Sequence, residues 1–485
     1  MPPAGYMTRS AVESCLVWLS TAYPAFTQLI TLPNASADPA TRHTSRAIRI
    51  RSGAGDRNGV LLVGGTHARE LINPDLLAGL AFKLCWAYAN NVGLTFGGRS
   101  WSSTDIRLLV EGMDIFILPL LNPDGREYVQ AGNTWWRKNR GVNSDGTRGA
   151  DLNRNYDFLW PWSIGATSTV STSDVYRGDA VFSEPETRNV RWLLDTYPDI
   201  TCFADVHSFS ELILYPWGDD DNQSGDPTQN FLNPAWDGLR GTGGTGYAEY
   251  IPSVDQTKYV DRGTSVRDAI TAVRGRAYTV QQSFDLYGTS GVSADYAYSR
   301  FFRRGTKRKI WAYVMETNFA AGGDSQYGFQ PPYADATQVM EEVQSGLIQF
   351  MLGCLCVVRE VGRGWLSVAA LDRLRVFRDE DMAASARGRR WAALLDTHGD
   401  EILALLAQDR AARRAAETFL EKASQIVIDA DSDEPARIDR ALVSQLDRLT
   451  VRVEKRASPS LKKALAALRK DMPRVVGKTA REALR

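Results

Sequence analysis

Only four histidines occur in 485 residues, so each can be weighed separately. His67 lies in Gly64-Gly65-Thr66-His67-Ala68-Arg69-Glu70, directly after an apolar run. An imidazole and a carboxylate three residues apart can face one ion if they share a turn or a first helical turn. Nitrogen plus carboxylate oxygen is a donor set that suits zinc. The pairing is common without a metal, so alone it is weak. His207 ends a second apolar run, residues 200–207, and alone it reads as an ordinary half-buried histidine. Glu316 ends a third, Trp311-Ala-Tyr-Val-Met-Glu316. A carboxylate there is costly unless it is solvated or paired, and a structural ion pair would serve. Taken together, two imidazoles and a carboxylate leave a fourth zinc position for water. A further carboxylate near that water would take its proton. Trp136-Arg137-Lys138 and Asp151-Leu152-Asn153-Arg154-Asn155 add guanidinium groups suited to polarising a carbonyl or clamping a carboxylate. His43 and His398 lie outside these runs and receive no role.

These side chains need elements to hold them. Residues 60–64, 113–121, 200–207 and 310–317 read as buried strands, and 47–51 alternates like a strand. Residues 11–23, 74–90 and 184–197 have helical spacing, and 338–360 reads as a long apolar helix. Asn122-Pro123-Asp124-Gly125 reads as a turn. Helix and buried strand alternate, which predicts an α/β fold: a mixed, mostly parallel twisted sheet covered by helices on both faces. The stretch 218–246, rich in Gly, Asp, Asn and Pro, reads as a surface excursion.

The zero net charge hides two unlike parts. Residues 363–485 hold 25 Lys+Arg and 19 Asp+Glu, net +6, and the remainder is −6. The same segment has 4 of the 40 glycines and no tyrosine. Helical spacing in 402–428, 438–453 and 461–468 predicts an all-α extension of about four helices. The division expected is 1–361 for the catalytic domain and 362–485 for the helical one. Residues 448–485 carry 12 basic and 3 acidic side chains. Aromatics are absent there, so a solvated or protein-docking face is favoured and nucleic acid is not expected. A tail of this size suits a protein partner or self-association. No apolar run approaches the ~20 residues that span a bilayer. The five cysteines, Cys15, Cys85, Cys202, Cys354 and Cys356, have no framework spacing and read as small buried hydrophobes. With no signal-peptide pattern, a cytoplasmic location is expected, with export by a signal-independent route as the other possibility.

Ordered motifs make the reading specific. The chain resembles the zinc metallocarboxypeptidases, the funnelin type. The resemblance rests on His67-x-x-Glu70, Asn122-Pro-Asp-Gly-Arg-Glu-Tyr128, Trp136-Arg137-Lys138, Asn153-Arg154-Asn155, His207-Ser-Phe-Ser-Glu-Leu-Ile-Leu-Tyr-Pro-Trp-Gly218, Leu286-Tyr-Gly-Thr-Ser-Gly291, Glu316 and Tyr327-Gly-Phe329. It spans roughly residues 6–360. It implies one zinc ion held by His67, Glu70 and His207, with Asp151 orienting the first histidine. It implies Glu316 as general base and Arg137 as the group polarising the scissile carbonyl. Asn153, Arg154 and Tyr287 would bind the carboxylate of a peptide or protein C-terminus.

Three departures accompany the resemblance. The domain begins near Tyr6, so no N-terminal segment is expected over the cleft. His207 and Tyr287 are 80 residues apart, so 219–275 is expected as an insertion at the cleft rim. Thr317-Asn318-Phe319 follows Glu316 where the family commonly has Leu-Arg. The residues matching the side-chain pocket are Leu214, Gly218, Gln282, Leu286, Thr289, Ala294 and Val314. None is charged, which suggests an apolar or aromatic C-terminal residue, whereas Asp219-Asp220-Asp221 hints at a basic one. Other readings are an amidase on branched or γ-linked peptides, and a zinc-containing binding protein without turnover. Glu316 and Arg137 argue against the last, since a binder needs neither.

Overall fold

The apolar runs become the centre of one mixed sheet. A computed structural model describes residues 5–54, 57–304, 308–319, 323–355, 361, 370, 373–374, 376–382 and 384–485. The chain divides into Met1–Gly53 with Asn58–Met351, and Ala54–Arg57 with Leu352–Arg485.

In the first unit the strands are β1 (Thr27–Ala35), β2 (Thr44–Ile50), β3 (Gly59–Gly64), β4 (Leu94–Phe96), β5 (Arg99–Trp101), β6 (Asp114–Leu118), β7 (Ile200–Ser208), β8 (Leu212–Tyr215), β9 (Asn222–Gln223), β10 (Glu249–Tyr250), β11 (Thr279–Gln282) and β12 (Trp311–Thr317). Eight of them form the main sheet in the order β1-β2-β6-β3-β7-β12-β8-β11. Four of its seven pairings are parallel: β6 with β3, β3 with β7, β7 with β12, and β8 with β11. Every residue of β3 and β6 is buried, which is why they read as unbroken apolar runs and not as alternating ones. Helices α1 (Arg9–Ala22), α2 (Ile72–Asn90), α3 (Ser103–Gly112), α4 (Pro123–Gln130), α5 (Pro185–Thr196), α6 (Ser253–Arg274), α7 (Ser293–Arg304), α8 (Ser325–Phe329) and α9 (Tyr333–Gly353) flank it. The predicted α/β class therefore holds.

Local chemistry explains the element ends. The segment 122–125, expected as a turn, is the start of α4. Asn122 caps it by accepting from Gly125 N, and Pro123 takes the first position, where no amide is needed. The segment 219–275 contains α6, whose Tyr259, Val266 and Ile270 are buried; its part before Ser253 holds the short paired strands β9 and β10. The helix expected over 338–360 is α9, and residues 356–360 lie outside the described residues.

The cysteine reading needs correction. Cys15 and Cys85 are free, but Cys202 is disulfide-bonded and so is Cys354. An apolar sequence neighbourhood does not distinguish a buried thiol from a buried disulfide. Cys356 lies outside the described residues.

The second unit is helical over Ala386–Gln408, Arg410–Ile428, Arg440–Glu454, Pro459–Asp471 and Ala480–Leu484. The side chains of Asp409, Asp439 and Ser458 cap three of these helices. Phe377, Ala480 and Leu484 form a core against Met382, Trp391, Ile426 and Val427. Among the described residues, no helix is long and apolar enough to cross a membrane.

Candidate active site

The first histidine is placed by a turn that only glycine makes easily. Gly65, just past β3, has φ of 64°, and a Cβ there would meet Leu120 Cδ1 at 2.9 Å. The turn delivers His67 and Glu70 to the carboxyl end of the sheet, where open α/β sheets carry their sites. His207 arrives from the last residues of β7, beside β3.

The three side chains converge. His67 Nδ1 lies 2.7 Å from Glu70 Oε1 and 3.0 Å from His207 Nδ1, and His207 Nδ1 lies 3.2 Å from Glu70 Oε2. All three residues are buried. Zinc bonds of about 2.0–2.2 Å in a tetrahedron imply ligand–ligand edges of about 3.3–3.6 Å, so these donors would spread by a few tenths of an ångström around an ion. Each imidazole turns its other nitrogen to a carboxylate: His67 Nε2 is 3.0 Å from Asp151 Oδ1, and His207 Nε2 is 3.1 Å from Asp205 Oδ2. A carboxylate behind each Nε2 suits rings that carry their proton there and offer Nδ1 to a metal ion. Ser208 N donates to Glu70 Oε2 at 3.1 Å and fixes that carboxylate. The donor set fits zinc.

The buried charges of the site are paired with one another. Burial alone would raise Glu70, but the imidazoles of His67 and His207 outweigh it and hold the carboxyl below the usual range. Burial opposes a charged His207, and Asp205 and Glu70 overturn that, holding the ring well above its ordinary value. Burial likewise opposes the charge on Asp151, yet Arg137 and His67 hold it well below the carboxylate range. Arg137 donates through Nε to Asp151 Oδ2 at 3.0 Å; burial disfavours its charge, but Asp151 outweighs burial and holds the guanidinium above its ordinary value.

Glu316 sits in β12 opposite His207 in the parallel register, so both side chains leave the same face of the sheet. It is half-buried, and burial, reinforced by Glu70, pushes it up to about 8 although His207 pulls the other way. Beyond it, Asn318 takes a left-handed φ of 62°, and its carbonyl accepts from Ser210 N and Glu211 N at 2.9 Å each. Asparagine tolerates that conformation, so Thr317-Asn318 closes the loop here.

The other sequence-predicted residues gather nearby in part. Asn153 is buried and accepts from Ser293 N at 2.8 Å. Arg154 donates to the carbonyls of Ala166 and Asn153 at 2.6 Å each, and its guanidinium carbon is 6.0 Å from the Tyr287 ring centroid. Tyr287 is 45% exposed, on a loop free to meet a ligand. Leu214, Ala294 and Val314 are buried, with Leu214 and Val314 paired across β8 and β12, and Leu286 is half-buried. Asp219 and Asp220 are buried, whereas Asp221 is exposed.

Asp205 was not foreseen. It is fully buried and accepts from Thr66 Oγ1 at 3.0 Å and Ser293 Oγ at 2.7 Å while facing His207. Its signal was available: two residues before His207 on a strand, it must share that histidine's face.

The site can be compared with known proteins. Residues 12–346 match the family described as zinc carboxypeptidase. A carboxypeptidase B from Helicoverpa zea is 38% identical over 170 residues, covering 34% of this chain and 35% of that protein. A carboxypeptidase B from Astacus astacus is 28% identical over 309 residues, covering 63% of this chain and 83% of that one. The chain thus spans about a third of the first relative and most of the second. Among solved structures, thrombin activatable fibrinolysis inhibitor has the same fold, with a TM-score of 0.55 at 20% identity over 71% of this chain and 73% of that one.

Proposed function

Because the chain belongs to the zinc carboxypeptidase family, we propose that it hydrolyses the C-terminal peptide bond of peptides or proteins with one zinc ion held by His67, Glu70 and His207. The observation that carries this is the convergence of His67 Nδ1, His207 Nδ1 and Glu70 within 2.7–3.2 Å, each ring backed by a carboxylate. Zinc held there supplies Lewis acidity and a water acidic enough to lose its proton near neutral pH.

The chain's own groups do the rest. Glu316, on the His207 face of the sheet, accepts the proton of the attacking water and passes it to the leaving amine. Arg137, tied at Nε to Asp151, donates from its far nitrogens to the scissile carbonyl oxygen as negative charge develops there. Asn153, Arg154 and Tyr287 hold the free carboxylate of the substrate, so the bond cleaved is the last one. That clamp converts binding energy into orientation over the metal. Leu214, Leu286, Ala294 and Val314 wall the space for the terminal side chain.

The test is hydrolysis of a peptide with a free C-terminus. Cleavage should release the terminal residue, stop with a chelator, return with zinc, and fail on the same peptide amidated at its end. Cleavage of the amidated peptide at a similar rate would remove the carboxylate clamp from the account.

A further inference from the structure

The helical unit carries a pocket of its own, of about 380 Å3, within the range of about 300–1,000 Å3 typical of small-molecule sites. Its walls come from three helices, Ala386–Gln408, Arg410–Ile428 and Arg440–Glu454, and from the turn that ends the third. Arg448, Arg452, Lys455 and Arg456 line it, against one acid, Asp409. The steps from 448 to 452 and on to 455 and 456 are three or four residues, so these cations follow one side of the helix. Leu405 and Val451 are among the apolar residues that complete the wall.

The chain does not cancel the positive charge of this pocket. Asp409 is already committed twice. It caps the helix Arg410–Ile428 by accepting from Ala411 N and Ala412 N at 3.0 Å each, and it accepts from Arg452 Nε at 2.7 Å and Nη2 at 2.9 Å. Arg452 and those amides hold the Asp409 carboxyl down to about 2, so the pair is ionised and Arg452 is fixed in place. Among the described residues, Arg448, Lys455 and Arg456 have no acidic partner. The three acids of the segment 448–485 are engaged elsewhere: Glu454 with Arg469, Asp471 with Arg390 at 3.0 Å, and Glu482 with Arg437 at 3.3 Å. Next to Asp409, the first turn of the helix Arg410–Ile428 holds Arg410 and Arg413 and no acid. Cations at a helix N-terminus oppose its dipole, so positive charge gathers here where the fold alone disfavours it.

We propose that this pocket binds a small anion built of linked phosphates, a di- or triphosphate. Guanidinium groups donate two N–H bonds at once to phosphate oxygens, and several cations around one recess match several adjoining negative charges. Arg452, held by Asp409, is the fixed wall of the site, and Arg448, Lys455 and Arg456 close on the ligand from the same side of the helix. No aromatic residue occurs in 448–485, which disfavours the stacked bases of a single nucleic-acid strand. The recess itself suits a compact anion better than a flat membrane surface or a duplex.

The experiment titrates inorganic triphosphate into the full zinc-loaded chain by calorimetry, in the unmutated protein and in two double variants. Arg448→Gln with Lys455→Gln removes two charges from the pocket. Lys462→Gln with Lys463→Gln removes two from the same unit outside it. All four side chains are exposed, so neither variant takes packing from a core. The zinc site is the same in all three proteins, so differences between them report the pocket. The unmutated protein should bind triphosphate with a Kd of about 100 μM or tighter. The pocket variant should bind at least tenfold more weakly, and the control variant within twofold of the unmutated protein. Absence of binding at about 1 mM triphosphate overturns the proposal. So does a pocket variant that binds no more weakly than the control variant, because the affinity then belongs to the diffuse charge of the segment. Tighter binding of a DNA duplex or of phosphatidylserine vesicles than of triphosphate, lost in the same pocket variant, also overturns it by assigning the face to a macromolecule.

Discussion

Replacing Asp151 by asparagine should weaken zinc binding by one to two orders of magnitude, although residue 151 would not touch the metal. Asp151 is fully buried. Oδ1 accepts from His67 Nε2 at 3.0 Å and from Asn153 N at 2.9 Å, and Oδ2 accepts from Arg137 Nε at 3.0 Å. An amide of the same shape keeps one acceptor. If its oxygen stays on His67 and Asn153, its NH2 meets the Arg137 N–H, donor against donor. The bond to His67 then changes from charge-assisted to neutral and loses about half its strength, about 1–1.5 kcal/mol. That equals roughly a tenfold loss in affinity, and the weakened hold on the imidazole tautomer extends the range to about 100-fold. Breaking the buried ion pair with Arg137 costs about 3–5 kcal/mol of folding stability on top. The assay is competition with a fluorescent zinc chelator at fixed pH, with circular dichroism confirming the fold. A folded variant whose Kd lies within twofold of the unmutated protein would refute the reasoning, because Asp151 would then not orient His67.

Three further outcomes follow from other parts of the molecule. Glu186 is fully buried, accepts from Ala37 N at 2.9 Å and Asn139 Nδ2 at 3.0 Å, and is pushed up to about 8 by burial and then by Glu184. A carboxyl raised on folding contributes stability that is full below its unfolded pKa and is lost as pH rises through the folded one. Melting temperature should therefore fall between about pH 4.5 and pH 8, and Glu186→Gln should flatten that slope; an unchanged slope would count against it. Gly65→Ala should cost about 1–3 kcal/mol and weaken zinc binding, since it strains a positive φ and pushes on Leu120 where His67 is positioned; urea melts and the chelator competition would read both effects. Free zinc at 100 times its Kd should stabilise the protein by about 2.7 kcal/mol, and His67→Ala should abolish the rise in melting temperature; a rise that survives the substitution would place the ion elsewhere.

The candidate site was legible wherever its chemistry is local in sequence. His67 and Glu70 share one turn, and His207 and Glu316 each sit at the end of an apolar strand, so each carries its structural address with it. The buried strands β3, β6, β7 and β12 were legible for the same reason. What escaped depends on partners far along the chain. Asp205 takes its meaning from Thr66 and Ser293, which lie far from it along the chain. Strand β11, Thr-Val-Gln-Gln at the sheet edge, is too polar and short to announce itself. The helix α6 hides a legible stripe, Tyr259, Gly263, Val266 and Ile270, in otherwise polar text. The bonded state of Cys202 and Cys354 has no local signature at all.

The role proposed for Glu316 is to move the proton of a water activated at His67, Glu70 and His207. It is tested most directly by kcat for a C-terminally free peptide in Glu316→Gln protein, at zinc content matched to the unmutated protein. Loss of a general base predicts a fall of about 100-fold to 10,000-fold with zinc retained. A kcat within threefold of the unmutated protein would exclude Glu316 as the general base.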